Sequence, residues 1–218
     1  LRCAWQRLAV TRDPIGGVIT IKVGGAALRQ PEALDRIADA ITRASRVAPL
    51  LLVPGGGVFA DEVRAAEKVE GLSASEAHWR AVRAMESLGE LLVKAIPPAC
   101  SVSSVSALQM ALQHAQVPVL APFDWLQATD PLPHSWDVTS DSIAAWVAGQ
   151  IGSPLLVLIK PVGGPLERLV DAHFFQVLPA GVEATILAEP EVSELEQLLR
   201  ARLAGRTHSP HQSRRELR

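Results

Sequence analysis

Val18-Ile19-Thr20-Ile21-Lys22-Val23-Gly24-Gly25 reads as a β-strand rich in β-branched residues and closed by two glycines. From Pro31 to Val47 the apolar residues Leu34, Ile37, Ala38 and Ile41 recur on one face, which predicts a helix beginning near a favourable proline. Leu50 to Val53 is a short, wholly apolar strand that Pro54 and Gly55-Gly56-Gly57 end, and residues 58–68 predict a second helix. This β-α-β-α order predicts an α/β chain with a parallel sheet and helices on both faces. Apolar runs at 101–105, 117–120, 155–159 and 184–187 predict four further strands. Ser73 and Glu76 have capping-box spacing, so a helix should open there and run to about Ala95, where Pro97-Pro98 stops it. Its stripe of Trp79, Val82, Met85, Leu88, Leu92 and Val93 is read first as core, and it is long enough to serve a dimer as well. Helices are also expected at 107–115, at 192–203, and where Ile143, Ala144, Val147 and Ile151 follow an acidic start. One domain over 18–203 is the simplest organisation, with an extension at 1–17 and a polar, arginine-bearing tail at 204–218 expected to be mobile.

A chain of 218 residues that is 48% hydrophobic can bury a substantial core, which excludes a disordered protein. The formal charge of -2 supplies no basic field for nucleic acid, although local groups could still take a small anion. Cys3 and Cys100 form neither a disulfide framework nor a paired metal-ligand spacing, so a reducing cytoplasm is expected. Without an apolar run of about 18 residues, or a basic head before an apolar stretch, neither membrane insertion nor secretion is predicted.

The residue types that carry chemistry stand at predicted strand ends. In an open parallel sheet ligands gather beyond the carboxyl ends of the strands, where Lys22, Gly24 and Gly25 should lie. Glycines let backbone amides approach an anion, and an ammonium group neutralises phosphate charge as it builds. Gly55, Gly56 and Gly57 make the same offer at the second strand end, beyond the single glycine that a turn requires. No Walker-type loop is present. Downstream, Leu132-Pro133-His134-Ser135-Trp136-Asp137-Val138-Thr139-Ser140-Asp141-Ser142 sets two carboxylates four residues apart at a helix mouth. Asp137 has the position of an N-cap, and Asp141, one turn on, could hold lysine ammonium groups or a metal-bound nucleotide. Lys160 ends a later strand before Pro161-Val162-Gly163-Gly164 and is the natural second cation. His134 reads as a structural loop residue that could also bond substrate.

Taken in order, Lys22-Val23-Gly24-Gly25, the three glycines, residues 137–145 and residues 155–164 resemble the amino-acid kinase superfamily over roughly residues 18–190. The helix carrying Glu76-Ala77-His78-Trp79 through Arg83-Ala84-Met85-Glu86, with the 132–141 stretch, is similar to its aminomethylfuran phosphate kinase branch, which serves methanofuran-type cofactor synthesis. The resemblance implies a three-layer αβα sandwich around a mainly parallel sheet of about eight strands, with ATP in the C-terminal part and the acceptor in the N-terminal part. It implies catalytic roles for Lys22, Asp141 and Lys160, with Asp141 organising the lysines. Acceptor contacts are expected from Gly24, Gly25, Gly55, Gly56, Gly57, His134 and Asp137, and nucleotide contacts from Lys160, Gly163 and Gly164. Many relatives carry a further lysine near the nucleotide, whereas here none follows Lys160 and Arg168 is the cation offered in its place.

The expected activity is Mg-ATP-dependent phosphorylation of a small molecule that already bears a phosphate, giving a diphosphate and ADP. No resident metal site is expected, and a homo-oligomer is the expected assembly. Two alternatives stay open: a non-catalytic subunit holding nucleotide or oxyanion on the same scaffold, and a kinase acting on a carboxylate or carbamate.

Overall fold

The computed structural model describes residues 17–30 and 32–206. Strand β1 (Ile19–Val23) leads through a 3-10 turn at Gly25–Leu28 to helix α1 (Ala33–Ala44), and β2 (Leu50–Pro54) leads to α2 (Gly57–Glu70). Helix α3 (Ala74–Ala95) opens with both arms of the expected capping box between Ser73 and Glu76. Then follow β3 (Ala99–Val102), α4 (Val105–Gln113), β4 (Val117–Leu120), α5 (Pro122–Thr129), α6 (Ser140–Gln150) and β5 (Leu155–Lys160). Two single-turn helices, α7 (Leu166–Leu169) and α8 (Phe174–Val177), precede β6 (Glu183–Ala188), a 3-10 segment at Glu189–Glu194 and α9 (Leu195–Arg206).

All strand pairings are parallel, in the order β3-β4-β2-β1-β5-β6. Side-chain alternation sorts the core into two layers. Ile19, Ile21, Val23, Val157 and Ile159 pack with α1, α9 and the C-terminal half of α3. Val18, Leu51, Val53, Leu156 and Leu158 pack with α4, α5, α6 and the N-terminal half of α3. A three-layer αβα sandwich is the result, as the alternation of elements predicts. Period two also puts Lys22 and Lys160 on the α6 side, between the apolar residues that face the other way. Lys22 registers with Leu158, so Lys160 stands two residues further along the neighbouring strand on that same face.

Several details differ from expectation. The sheet has six strands among the described residues, one for each apolar run, and not the eight or so that the family resemblance implied; β3 is Ala99–Val102, shifted from the predicted 101–105, whose end enters α4. Residues 161–182 carry Pro161, Gly163, Gly164, Pro165 and Pro179 and fold into loops, α7 and α8, leaving no extended run to add to the sheet. Helix α5, with Pro122 in its first turn, was not anticipated. Helix α4 starts at Val105, two residues earlier than predicted, because the Ser104 side chain accepts from the Ala107 amide at 3.2 Å. The N-cap of α6 is Thr139, whose hydroxyl accepts from the Asp141 amide, while Asp137 lies outside the helix in an exposed turn. The last helix starts at Leu195 and runs to Arg206, into the stretch assigned to the tail. Residues 1–16 and 207–218, most of the expected extension and tail, lie outside the described residues. Among the described residues no helix is long and apolar enough to cross a membrane.

The turns after β1 and β2 lock together through their glycines. A Cβ on Gly25 would fall 2.2 Å from the Gly57 Cα, and Gly57 itself has a φ of +53°. The Gly55 amide donates to the Val23 carbonyl at 2.8 Å, and the Gly24 amide to Ile159 at 3.1 Å, so three neighbouring strand ends are tied into one rim. Gly25→Ala should therefore cost about 1–3 kcal/mol of unfolding free energy through overpacking. At Gly181, where nothing lies within 4 Å of an added Cβ, the same exchange should cost less than about 0.5 kcal/mol. Chemical denaturation of the two variants measures the difference.

Candidate active site

Above that rim opens a cleft of about 430 Å³. Its floor is a cluster of three charges. Lys22, at the end of β1, and Asp141, in the first turn of α6, are each 4% exposed, and their Nζ and Oδ1 are 2.8 Å apart. Lys160, at the end of β5, donates to Asp141 Oδ2 at 2.6 Å. The Lys22 contact is an ion pair outside hydrogen-bond alignment, which leaves Oδ1 without a well-directed donor among the described residues. Burial pushes the Asp141 carboxyl up, yet the Lys22 and Lys160 charges outweigh it and hold the group below the ordinary carboxylate value. Burial and the neighbouring Lys22 charge pull Lys160 down, against the opposing pull of Asp141 and Asp171.

The approach of α6 to the sheet follows from its composition. Ser142, Ala144, Ala145 and Ala148 are buried and small, so the helix can lie close against β1 and β5 and bring Asp141 to the strand tips. Thr139 and the carboxylate of Asp171 take the free amides of its first turn. Asp141 is thereby released from capping its own helix and can spend both oxygens on the lysines.

Of the residues singled out from sequence, Lys22, Gly24, Gly25, Gly56, Gly57, Asp141 and Lys160 all line the cleft. Gly55 lies just beneath, where an added Cβ would meet the Gly25 amide nitrogen at 2.8 Å. His134 stands behind the wall. Its Nδ1 is 2.7 Å from Ser75 Oγ, its Nε2 is 2.8 Å from Asp130 Oδ1, and its ring stacks at 4.3 Å on His78, which does line the cleft. Asp137 is exposed and does not line it. Gly163, Gly164 and Arg168 are exposed and do not line the cleft, which the β5–β6 connection reaches through Pro161, Val162 and Leu169.

Trp136 reads from sequence as core or pocket wall, and it lines the cleft; the α2 residues beside it are the part that sequence reasoning missed. Trp136 donates its indole N–H to Glu67 Oε2 at 2.5 Å, and the Arg64 guanidinium lies 4.3 Å over the indole ring. Ala60, Arg64 and Glu67 line the cleft together with Gly57. Their spacing places them on one face of α2, a signal available in the sequence. Burial also pushes His78 down to about 4, with a further push from His134, so a neutral imidazole faces the cleft at physiological pH.

The Amino acid kinase family model matches residues 17–164. A curated relative, [5-(aminomethyl)furan-3-yl]methyl phosphate kinase of Methanocaldococcus jannaschii, is 25% identical over 131 residues, which is 60% of this chain, and the chain spans about 60% of that protein's length. Uridylate kinase from Archaeoglobus fulgidus is similar in structure, with a TM-score of 0.62 at 14% identity over 83% of this chain and 95% of that one. N-acetylglutamate synthase from Neisseria gonorrhoeae, solved with coenzyme A and L-arginine, gives 0.53 at 16% identity over 84% of this chain and 59% of that one. At such identities the two structures bear on the fold alone.

Asp141→Asn would leave two ammonium groups facing each other with no anion between them. Removing one partner of a buried pair costs about 3–5 kcal/mol, so the variant should unfold at markedly lower denaturant. Because the folded carboxyl is held below its ordinary value near 3.8, its contribution is complete above that pH and is lost as pH falls through the folded value. Acid titration of stability should show this loss in the native chain and not in Asp141→Asn.

Proposed function

The chain belongs to the amino acid kinase family, and from that premise we propose that it is a Mg-ATP-dependent kinase of a small acceptor that already carries a phosphate. The observation that carries this reading is the charge of the cleft floor. Two ammonium groups share one carboxylate, so a largely buried cluster retains a net positive charge that an incoming phosphoryl group would satisfy. Phosphoryl transfer asks the protein mainly for alignment and charge neutralisation. An acceptor phosphate oxygen attacks the terminal phosphorus of ATP, the bond to the bridging oxygen breaks, and ADP leaves with the electron pair. The acceptor oxygen is already an anion, so no general base is required.

In this reading Lys22 and Lys160 neutralise the transferred group while Asp141 holds them in place. The amides of Gly25, Gly56 and Gly57 position the phosphate, while the Gly24 amide is held by the Ile159 carbonyl. The Lys160 side of the cleft, toward Pro161, takes the nucleotide, and α2 with Trp136 takes the acceptor. Among the described residues no group of three or more His, Cys, Asp or Glu side chains could hold a metal. In this reading magnesium would arrive with the nucleotide, where it would screen phosphate charge. The aminomethylfuran phosphate named in the curated relative is the acceptor we propose, with a diphosphate as product and methanofuran-type cofactor synthesis in the cytoplasm as its setting.

One observation favours the rival reading, a subunit that binds nucleotide or oxyanion without turnover. Beyond Lys160 the β5–β6 connection brings no further cation to the cleft lining, and Arg168 is exposed. Mixing the protein with Mg-ATP and aminomethylfuran phosphate should release ADP, and Lys22→Ala should reduce the rate at least 100-fold, which corresponds to about 2.7 kcal/mol of transition-state stabilisation. ATP-analogue binding by calorimetry with no ADP formed would support the rival. Turnover confined to amino-acid carboxylates or carbamate in the same assay would move the acceptor class.

The same reading takes residues 18–203 as one kinase-like unit that works as a homo-oligomer, most simply a dimer. Light scattering coupled to size exclusion should give a mass of at least twice the 23.3 kDa of the chain.

A further inference from the structure

Asp171 lies in the β5–β6 connection, far in sequence from α6, yet its carboxylate receives hydrogen bonds almost entirely from the start of that helix. Oδ2 accepts from the Thr139 amide at 2.8 Å, the Thr139 hydroxyl at 2.7 Å and the Ser142 amide at 3.0 Å. Oδ1 accepts from the Ser142 hydroxyl at 2.5 Å and the His173 amide at 3.2 Å. A carboxylate offers about four lone-pair sites, so these five donors saturate it. The two residues bound on the helix, Thr139 and Ser142, bracket Asp141 in sequence. A second tie runs alongside, from the His173 amide to the Asp137 carbonyl at 3.2 Å.

We propose that Asp171 is the positioning residue of this site: it clamps the first turn of α6 from outside, so that the Asp141 carboxylate stays fixed between Lys22 and Lys160. The argument is one of saturation and place. Thr139 accepts from the Asp141 amide while donating its own hydroxyl proton to Asp171, and Asp171 accepts from the Ser142 amide. Every one of these bonds sets the rotation and depth of the residue that carries Asp141. An anionic cap at a helix N-terminus also gains from the macrodipole, which favours the clamped state. Asp171 touches neither lysine and is not a catalytic group. It reaches Lys160 only as a second negative charge, so the groups acting on that ammonium are Lys22 on β1, Asp141 on α6 and Asp171 on the β5–β6 connection.

The kinetic consequence rests on the kinase reading above, while the electrostatic consequence does not, and the experiment uses both. Only four lysines occur in the chain, Lys22, Lys68, Lys94 and Lys160, so 13Cε-labelled lysine gives a spectrum that Lys160→Arg assigns. Asp171→Asn keeps the shape and removes the charge. In that variant the Lys160 titration should move to lower pH by about half a unit or more, the direction expected when a neighbouring anion is lost. Per folded molecule, kcat should fall at least about 10-fold with KM for ATP changed by less than about 3-fold, and Asp171→Glu should recover part of the rate. An unmoved Lys160 titration, or an unchanged kcat per folded molecule, overturns the proposal. If Asp171→Asn does not fold, Ser142→Ala removes one of the five bonds and must shift the Lys160 titration in the same direction, or the proposal fails. Absence of turnover in the native chain sinks the kinase reading alone and leaves the titration to decide the role of Asp171.

Discussion

A single carboxylate between two ammonium groups is the constraint around which this chain is arranged. Burying charge is costly unless partners are close and well placed, and Asp141, Lys22 and Lys160 come from three separate elements. Their convergence therefore requires β1 and β5 to be neighbours with ends in register, and α6 to lie near enough for a short side chain to reach the strand tips. Both conditions trace to sequence. Alternation along the two strands turns their terminal lysines to one side, and the small residues of α6 let the helix approach. The cluster is unbalanced by one positive charge. An anion entering the cleft would restore the balance.

The glycines serve this arrangement in a way that the motif alone does not convey. Read as sequence, Gly24-Gly25 and Gly55-Gly56-Gly57 offer amides to an anion. In the folded chain their first requirement is steric, because Gly25 and Gly57 meet backbone to backbone and neither tolerates a Cβ. The two readings are compatible. The Gly24 and Gly55 amides are used in tying the strand ends together, and close packing of the turns sets the Gly25, Gly56 and Gly57 backbone beside Lys22 along the cleft.

How much of this was legible beforehand depended on the range of the interaction. The six strands and the capped start of α3 are consequences of local pattern, and the sequence displays them, along with the place of Lys22 and Lys160 at strand ends; that the two lysines share a face depends on the β1–β5 register, which only the folded chain shows. The additional two strands came from family resemblance, and the proline- and glycine-interrupted 161–182 segment gives them no extended run. Asp137 was misplaced because aspartate and threonine both cap helices, and only the folded chain shows Thr139 taking that position while Asp137 stays in the turn. His134 reads from sequence as a structural loop residue that could also bond substrate, and in the fold both its ring nitrogens are engaged and it supports His78 from behind. Asp171 could not be found from sequence at all. Its partners are some 30 positions away, and no spacing rule links an aspartate in a loop to a helix start across a strand.

That last residue changes the meaning of the short β5–β6 connection. Compared with a family pattern, residues 161–182 look like a loss, since they add neither strand nor lysine. Their packing shows a contribution of a different kind. α8 lies against α6, with Phe174 fully buried and Pro179 against Gly149, and this anchorage holds the loop that presents Asp171. Without it the first turn of α6 would have only Thr139 to satisfy its free amides, and Asp141 would have reason to turn back and cap its own helix. A carboxylate that caps cannot at the same time sit squarely between two lysines. The segment that brings no further cation to the cleft thus supplies, on the proposal for Asp171, the restraint that keeps the two lysines and their shared anion in one geometry.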